Sequence, residues 1–285
     1  MKALALILLT ILAALWGASY LFIRIAGPVL GSIWLMTVRL TIAAGLILAI
    51  VGILGHLPDF RRRWRQFLAI GAIGNAIPFI LIGNAVIHLN ASIAAILNAT
   101  VPLFTTLVAA AWIRTPLGAR QLAGIVLGLA GVIVLVGWSP LPATAVTLAA
   151  TAQALVASLL YGLTAVYARL RFADLTALQA SAGQVTGGAL LLLPLAAATP
   201  VPREVSWLAM EAVLALALLC TVIAYFIYFR LIATAGPTRT SSVAFLIPLF
   251  SVLWGTVFLD EPLTAGIFAG LAIILFSEWL VLAGR

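Results

Sequence analysis

The sequence predicts an all-α membrane protein with ten transmembrane helices in two inverted five-helix repeats, and three observations support that fold class. First, 65% of the 285 residues are hydrophobic and only 8% are charged, whereas soluble proteins carry about 25% charged residues. Second, residues 66–113 and 121–168 contain no Asp, Glu, Lys or Arg, and each stretch can hold two membrane helices of about 20 residues. Third, the segment 101–117 (VPLFTTLVAAAWIRTPL) is repeated as 247–263 (IPLFSVLWGTVFLDEPL).

The individual elements follow from the residues that interrupt the apolar runs. Breaks such as Gly27-Pro28 with Gly31, Gly236-Pro237, and the Pro-Leu-Gly turn at 116–118 are typical of helix ends. The runs between them lack the alternation of polar and apolar residues that barrel strands show, so they are predicted as helices. In chain order the predicted helices are 3–24, 32–53, 66–87, 91–112, 119–138, 147–168, 175–197, 208–231, 239–258 and 264–283.

The basic residues set the predicted orientation. One side of the membrane holds twelve of them: Lys2, Arg61, Arg62, Arg63, Arg65, Arg114, Arg120, Arg169, Arg171, Arg230, Arg239 and Arg285. The other side holds Arg24 and Arg203, and Arg39 lies within a predicted helix. Because cytoplasmic loops are enriched in Lys and Arg, both termini are predicted to be cytoplasmic.

The duplication divides the chain into two five-helix units, 1–138 and 147–285, within one integral membrane unit. Because five is an odd number, the second unit enters the membrane in the opposite direction to the first. The charges agree, since the turn after the duplicated segment carries Arg114 in the first unit and Asp260-Glu261 in the second. Inverted repeats of this kind are typical of transporters, with a binding site near the bilayer midplane between the halves.

Several short motifs recur in order along the whole chain: WGASYLFIRIAGP at 16–28, Arg39 in VRLTIAAGLIL, the proline segments VPLF and IPLF, and DEPL at 260–263 followed by Gly270. With these motifs the chain resembles the ten-helix EamA-type members of the drug/metabolite transporter superfamily. It is most similar to bacterial inner-membrane exporters of amino acids and related metabolites. The resemblance implies the same activity and location here. The first half departs from the pattern, since Arg114-Thr115 replaces the acidic pair.

Three prolines lie near the middle of predicted helices: Pro78, Pro102 and Pro248. A proline inside a helix frees a carbonyl group and kinks the helix, and in lipid such groups are tolerated where they line a cavity. We predict that these kinks shape a substrate cavity or act as hinges for its closure. The alternative is that they only reflect the frequency of proline in membrane helices.

Amides and aromatic residues complete the predicted cavity. Asn75 and Asn98 lie closest to the proline kinks, and a buried amide faces either a wet cavity or a partner on another helix. Aromatic side chains can supply apolar walls with hydroxyl or indole donors, although packing and the interfacial aromatic belt are alternatives. The aromatic candidates are Trp16, Phe79, Tyr161, Tyr225 and Trp254.

Charged residues within helices are costly in a bilayer. Arg39 is predicted either to contact the carboxylate of a substrate or to bind backbone carbonyls of a neighbouring helix, and its repeat counterpart is the neutral Gln184. Glu278 is predicted to lie near a helix end and to reach the interface. The helices 119–138 and 264–283 carry GxxxG motifs, which are typical of close helix packing, so this pair is expected to lie outside the cavity.

The leading hypothesis is a secondary transporter that exports amino acids or related small amphipathic metabolites by alternating access. Without an aspartate in the membrane, and with Glu211 and Glu278 assigned near helix ends, facilitated movement is predicted rather than obligatory proton antiport. The alternatives are proton-coupled drug or metabolite efflux and nucleotide-sugar exchange, although phosphates would need more than one central arginine. An intramembrane enzyme finds no support, because HExxH and paired GxSxG–histidine motifs are absent from the sequence.

The predicted partners are a small-molecule substrate and the lipid bilayer. The net charge of +8 lies mostly in the segments between helices, which is an orientation signal and gives no indication of nucleic-acid binding. One cysteine, Cys220, and two histidines form no metal-binding pattern, so neither a metal nor a cofactor is predicted. Both a monomer and a dimer are compatible with the sequence.

Overall fold

The computed structural model describes residues 3–139, 141–202 and 204–283, and within these ranges the chain is helical and contains no strand. Eight of the described helices are long and apolar enough to cross a membrane, and Val243–Leu259 is a shorter apolar helix. The chain is therefore a multi-pass membrane protein. The helices are α1 Ala3–Ile53, α2 Phe60–His88, α3 Ala91–Ile113, α4 Ala119–Gly137, α5 Ala145–Arg171, α6 Ala177–Ala197, α7 Trp207–Ala235, α8 Val243–Leu259 and α9 Ala265–Ala283. Lys2, Arg203 and Arg285, which contribute to the predicted orientation, lie outside the described residues.

Helix α1 changes direction at Gly31. Its 51 residues would extend about 77 Å if straight, more than twice the bilayer core of about 30 Å. Gly31 has φ 69° and ψ 157°, a backbone conformation that residues with a Cβ rarely adopt. The change of direction therefore lies within the break predicted at Gly27-Pro28 with Gly31, and Pro28 stays inside the helix because the chain bends where a glycine allows it.

Two helices contain a wide π-helical turn that the sequence did not predict. The segments are Ala72–Ala76 in α2 and Leu218–Ile223 in α7. Their first residues are as far apart in the chain as Pro102 and Pro248, so the two turns occupy corresponding positions in the repeats. Such turns are rare and are frequently found at functional sites, because they shift the side chains that follow. The same offset relates Arg114 and Asp260, which both end their helices in the left-handed conformation.

Close packing between the first and second halves depends on matching glycines. A Cβ on Gly17 of α1 would lie 2.8 Å from Phe250 Cβ of α8, and a Cβ on Gly162 of α5 would lie 2.8 Å from the backbone nitrogen of Thr105 in α3. Gly17 and Gly162 correspond in the two halves, as do Phe250 and Phe104, which also borders Gly162. Corresponding surfaces therefore make reciprocal contacts across the molecule.

The GxxxG motifs of α4 and α9 face each other. A Cβ on Gly124 would lie 2.7 Å from Val281, and a Cβ on Gly270 would lie 2.6 Å from Leu135 Cβ. Small residues of this kind let helix backbones approach closely in lipid. The pair packs together as the motifs predicted, but α9 also reaches the interior of the protein, as described below.

Candidate functional site

A central cavity of about 590 Å³ lies between the two halves, within the range of about 300–1,000 Å³ that is usual for small-molecule sites. Its wall is mainly apolar and aromatic, and the polar groups that interrupt it come from several helices. Eight of the residues predicted for a substrate cavity lie on this wall: Trp16, Arg39, Phe79, Asn98, Pro102, Tyr161, Tyr225 and Pro248. Their role in binding a substrate stays a prediction.

Two predicted cavity residues lie behind the wall. Asn75 is fully buried in the π-helical turn of α2 and packs towards Gly188 of α6. Trp254 donates a hydrogen bond from Nε1 to the carbonyl oxygen of Ala14 at 3.0 Å. Trp254 therefore joins α8 to α1, and its contribution to the cavity is to hold these two wall helices together.

Pro78 also lies outside the wall and acts through a neighbour. Because proline has no backbone N–H, the carbonyl group four residues earlier, on Gly74, has no partner within an ordinary helix. That oxygen instead accepts a hydrogen bond from Gln184 Nε2 at 3.4 Å. Gly74 and Gln184 both line the cavity, so the proline places a polar bridge between α2 and α6 at its edge.

Among the residues that the structure describes, Arg39 is the one arginine on the wall. Its side chain is buried, its Nε donates a hydrogen bond to Thr221 Oγ1 at 3.0 Å, and its guanidinium carbon lies 4.2 Å from the ring centroid of Phe79. The predicted bond to a backbone carbonyl is not formed among the described residues, where the partner is the Thr221 hydroxyl in the π-helical turn of α7. Among the described residues, the hydrogen bond of Arg39 is formed by Nε, and the guanidinium group borders the cavity.

Three tyrosines surround Arg39: Tyr20, Tyr161 and Tyr225. The sequence prediction included two of them and missed Tyr20. The signal for Tyr20 was its spacing of four residues from Trp16, which places both side chains on one face of α1. Together with Phe79 they form an aromatic enclosure around a cation that has no carboxylate partner among the described residues.

Glu278 contradicts its prediction. Its side chain is 0% exposed, it borders the cavity together with Leu282, and both carboxyl oxygens lack a hydrogen-bond partner among the described residues. The end of α9 was predicted correctly, but a glutamate more than one turn before that end, on the face turned towards the protein, is too short to reach the interface. Helix α9 therefore contributes to the cavity instead of lying outside it.

Among the described residues, the lining of the cavity is exposed at one end and buried at the other. Ala165 and Ser241 on its rim are exposed, whereas Ile23, Ile82 and Ala95 at the other end are buried. The open end lies where α5 and α7 finish and α8 begins, which is also where Arg169, Arg171, Arg230 and Arg239 are found. A small molecule can therefore enter from the arginine-rich side of the bundle in this conformation.

At the closed end of the cavity, two charged side chains form hydrogen bonds with backbone groups of other helices. Arg24 Nη1 donates to the carbonyl oxygens of Val86 at 3.0 Å and Ile87 at 2.5 Å. The Glu261 carboxylate accepts from the backbone N–H groups of Ala91 at 2.6 Å and Ser92 at 3.0 Å, a favourable position for an anion at the start of α3. The sequence prediction treated the DEPL segment as a turn and missed this cap.

The sequence is similar to a known protein family and to several known proteins. The model of the EamA-like transporter family matches residues 3–137 and again residues 148–283. Protein PecM of Dickeya dadantii is 28% identical over 93% of this chain and 88% of its own length. The uncharacterized inner membrane transporter YedA of Escherichia coli K12 is 30% identical over 95% of this chain and 88% of its own length. The uncharacterized transporter YvbV of Bacillus subtilis is 26% identical over 96% and 90%.

One solved crystal structure has the same fold. It aligns with a TM-score of 0.67 over 98% of this chain and 96% of its own, with 19% sequence identity. At that identity the likeness concerns the path of the helices. It supports the arrangement of α1–α9 around a central space and carries no information about what that space binds.

Proposed function

The chain belongs to the EamA-like transporter family, and on this premise we propose that it exports amino acids or related small amphipathic metabolites across the bacterial inner membrane by alternating access. Several of its relatives are named as transporters, which agrees with a non-enzymatic role. The family accounts for membrane transport of small molecules. The substrate class is our proposal and rests on the chemistry of the cavity.

The single observation that carries this proposal is the state of Arg39. A buried guanidinium without a carboxylate partner is costly in a membrane protein. Its two terminal nitrogens form a planar fork that matches a carboxylate with two hydrogen bonds. A substrate carboxylate would supply the missing negative charge to the guanidinium group, whose hydrogen bond among the described residues uses only Nε.

The rest of the wall suits the remainder of such a molecule. Apolar and aromatic side chains, including Trp16 and Met36, cover most of the cavity and can accept an apolar side chain. A nucleotide sugar would bring several phosphate charges, and Arg39 is the only arginine or lysine among the described residues on the wall. An amphipathic metabolite with one carboxylate therefore fits better than a phosphorylated one.

We further propose that the described helices form ten membrane spans in two inverted repeats, with both termini in the cytoplasm. Division of α1 at Gly31 and inclusion of α8 give ten spans. The matched π-helical turns and the reciprocal contacts of Gly17 and Gly162 support two related halves. With the arginine-rich side inside, the cavity opens to the cytoplasm, which is the side from which an exporter loads its substrate.

A counterflow assay tests the proposed substrate class. The purified protein is reconstituted in liposomes that contain an unlabelled amino acid, and entry of the same labelled amino acid is followed for a panel of neutral, acidic and basic members. We expect exchange of at least one amino acid with an apolar side chain. Protein-free liposomes provide the control, and an absence of exchange for the whole panel would contradict the proposed substrate class.

A further inference from the structure

The carboxyl group of Glu278 is isolated inside the membrane-spanning bundle. It lies on the wall of the central cavity, yet its side chain is 0% exposed and neither oxygen has a hydrogen-bond partner among the described residues. A carboxylate ion in such surroundings is strongly disfavoured relative to the neutral acid, because neither water nor a partner compensates its charge. The surroundings of Glu278 in this conformation are therefore suited to the protonated acid.

The packing of α9 does not require an acid at this position. The residue of α4 that corresponds to Glu278 in the repeat is Val132. Val132 is also buried. Helices α4 and α9 have corresponding boundaries and pack face to face. Since an apolar residue serves in one repeat, the carboxyl group in the other adds a cost without a packing benefit, which indicates a role in function.

No neighbouring helix supplies Glu278 with a counter-charge among the described residues. Helix α4 carries Arg120, whose guanidinium carbon lies 4.6 Å from the ring centroid of Trp279, and Arg114 beyond the end of α3 is exposed. Helices α3 and α8 contain no titratable side chain within their bounds. The titratable or charged groups elsewhere on the cavity wall are Tyr20, Arg39, Tyr161, Cys220, Tyr225 and Tyr228, and none of them is bonded to Glu278.

Building on the proposed export function, we propose that Glu278 is a proton-binding site that couples outward movement of substrate to inward movement of one proton. When the cavity faces outward, the Glu278 carboxylate takes up a proton and forms an O–H bond. The neutral acid passes through the closed state without an uncompensated charge. In the conformation described here, which we assign as inward-facing, the acid is still shielded, so release needs a further opening of the cavity wall that admits water. The O–H bond then breaks, and a water molecule accepts the proton and carries it to the cytoplasm.

The occluded position of Glu278 favours a proton over a larger cation as its ligand. Both oxygens are shielded from the open part of the cavity, so a substrate ammonium group or a hydrated metal ion cannot contact them in this conformation. A proton needs no such space. Arg39 and Glu278 therefore have separate tasks on one cavity, the first with the substrate and the second with the proton.

Proteoliposomes test the coupling. With the membrane potential clamped, an acidic lumen should drive uptake of a labelled amino acid that exchanges in counterflow, and a gradient of one pH unit supports accumulation of up to about tenfold for a one-to-one antiporter. Glu278→Gln should abolish this accumulation and retain counterflow within about twofold, because the neutral amide mimics the protonated acid. Glu211→Gln removes an exposed glutamate and should behave like the original protein.

The possible outcomes separate the two proposals. Counterflow without any accumulation driven by the pH gradient overturns proton coupling and leaves the export function standing. Accumulation that persists in Glu278→Gln overturns the assignment to Glu278.

A second measurement does not depend on the substrate. Infrared spectra of the purified protein at neutral pH should show the C=O band of a buried protonated carboxyl group, and the band should be lost in Glu278→Gln but not in Glu211→Gln. Absence of that band overturns the proposal even if no amino acid in the panel is exchanged.

Discussion

The Glu261 carboxylate binds Ser92 at the start of α3. It accepts one hydrogen bond from the backbone N–H group of Ser92 at 3.0 Å and another from the Ser92 hydroxyl group at 2.5 Å. The two residues lie 169 positions apart in the chain, so this contact joins the second half of the protein to the first. Glu261 is itself buried. Its charge is compensated by the free N–H groups and the dipole at the beginning of the helix.

This contact predicts that Glu261 is important for stability. Glu261→Ala leaves the backbone N–H groups of Ala91 and Ser92 buried without an acceptor, which costs about 1–3 kcal/mol for each unsatisfied group. We expect a clearly lower thermal unfolding temperature in detergent, measured by intrinsic tryptophan fluorescence. The neighbouring Asp260 is exposed, so Asp260→Asn should leave the unfolding temperature nearly unchanged. Equal stability of Glu261→Ala and the original protein would show that the cap contributes nothing.

The reciprocal glycine contacts give a second prediction about stability. Valine at Gly162 would place side-chain atoms against the backbone of Thr105, and overpacking of this kind typically costs about 1–3 kcal/mol. We expect Gly162→Val and the corresponding Gly17→Val to reduce the yield of monodisperse protein in size-exclusion chromatography. Gly45→Val is the matched control, because no atom lies within 4 Å of a Cβ built there. Normal behaviour of both glycine variants would contradict the close packing of the halves.

The sequence was informative where the physical signal is local or repeated. Composition and charge-free length indicated the membrane fold, and the proline and aromatic positions indicated six of the residues that line the cavity. The π-helical turns were not predictable, because Ala72–Ala76 and Leu218–Ile223 have ordinary helical sequences and the wide turn depends on tertiary packing.

The positions of two buried glutamates, Glu261 and Glu278, were predicted wrongly for related reasons. The short distance from Glu278 to the end of α9 suggested that the side chain reaches the membrane interface. Its exposure depends instead on which face of α9 is covered by α4. Glu261 looked like a surface turn residue, because its partners at Ala91 and Ser92 are close only after the two halves have packed. Contacts between distant segments decided both cases, and a single sequence does not contain that information.

Orientation in the membrane is testable with single cysteines. Cys220 is buried, and Cys220→Ser provides the background. His56 and Ala143 are both exposed, in segments that the charge distribution assigns to the cytoplasm and the outside, respectively. In intact cells an impermeant thiol reagent should label Ala143→Cys but not His56→Cys, and both should react after the cells are broken. Labelling of His56→Cys in intact cells would reverse the proposed topology and place the mouth of the cavity outside.

Substitution of Arg39 tests whether the cavity binds a substrate carboxylate through this side chain. Hydrogen bonds to a charged group contribute about 1.5–3 kcal/mol, so loss of the guanidinium group should weaken binding about tenfold or more. We expect Arg39→Gln to raise the half-saturating concentration of a transported amino acid in counterflow. Arg39→Lys should restore only part of the affinity, because an ammonium group cannot form the two parallel hydrogen bonds of the guanidinium fork.

The corresponding amino acid amide, which lacks the carboxylate charge, separates a binding role from a structural one. The original protein should prefer the amino acid strongly over its amide, and Arg39→Gln should lose that preference. A purely structural Arg39 would change the transport of both compounds equally. Arg120→Gln removes an exposed arginine that stacks on Trp279 away from the cavity, and it should retain the preference. If Arg39→Gln still discriminates between acid and amide, the carboxylate is recognised elsewhere on the wall, and the proposed orientation of the substrate is wrong.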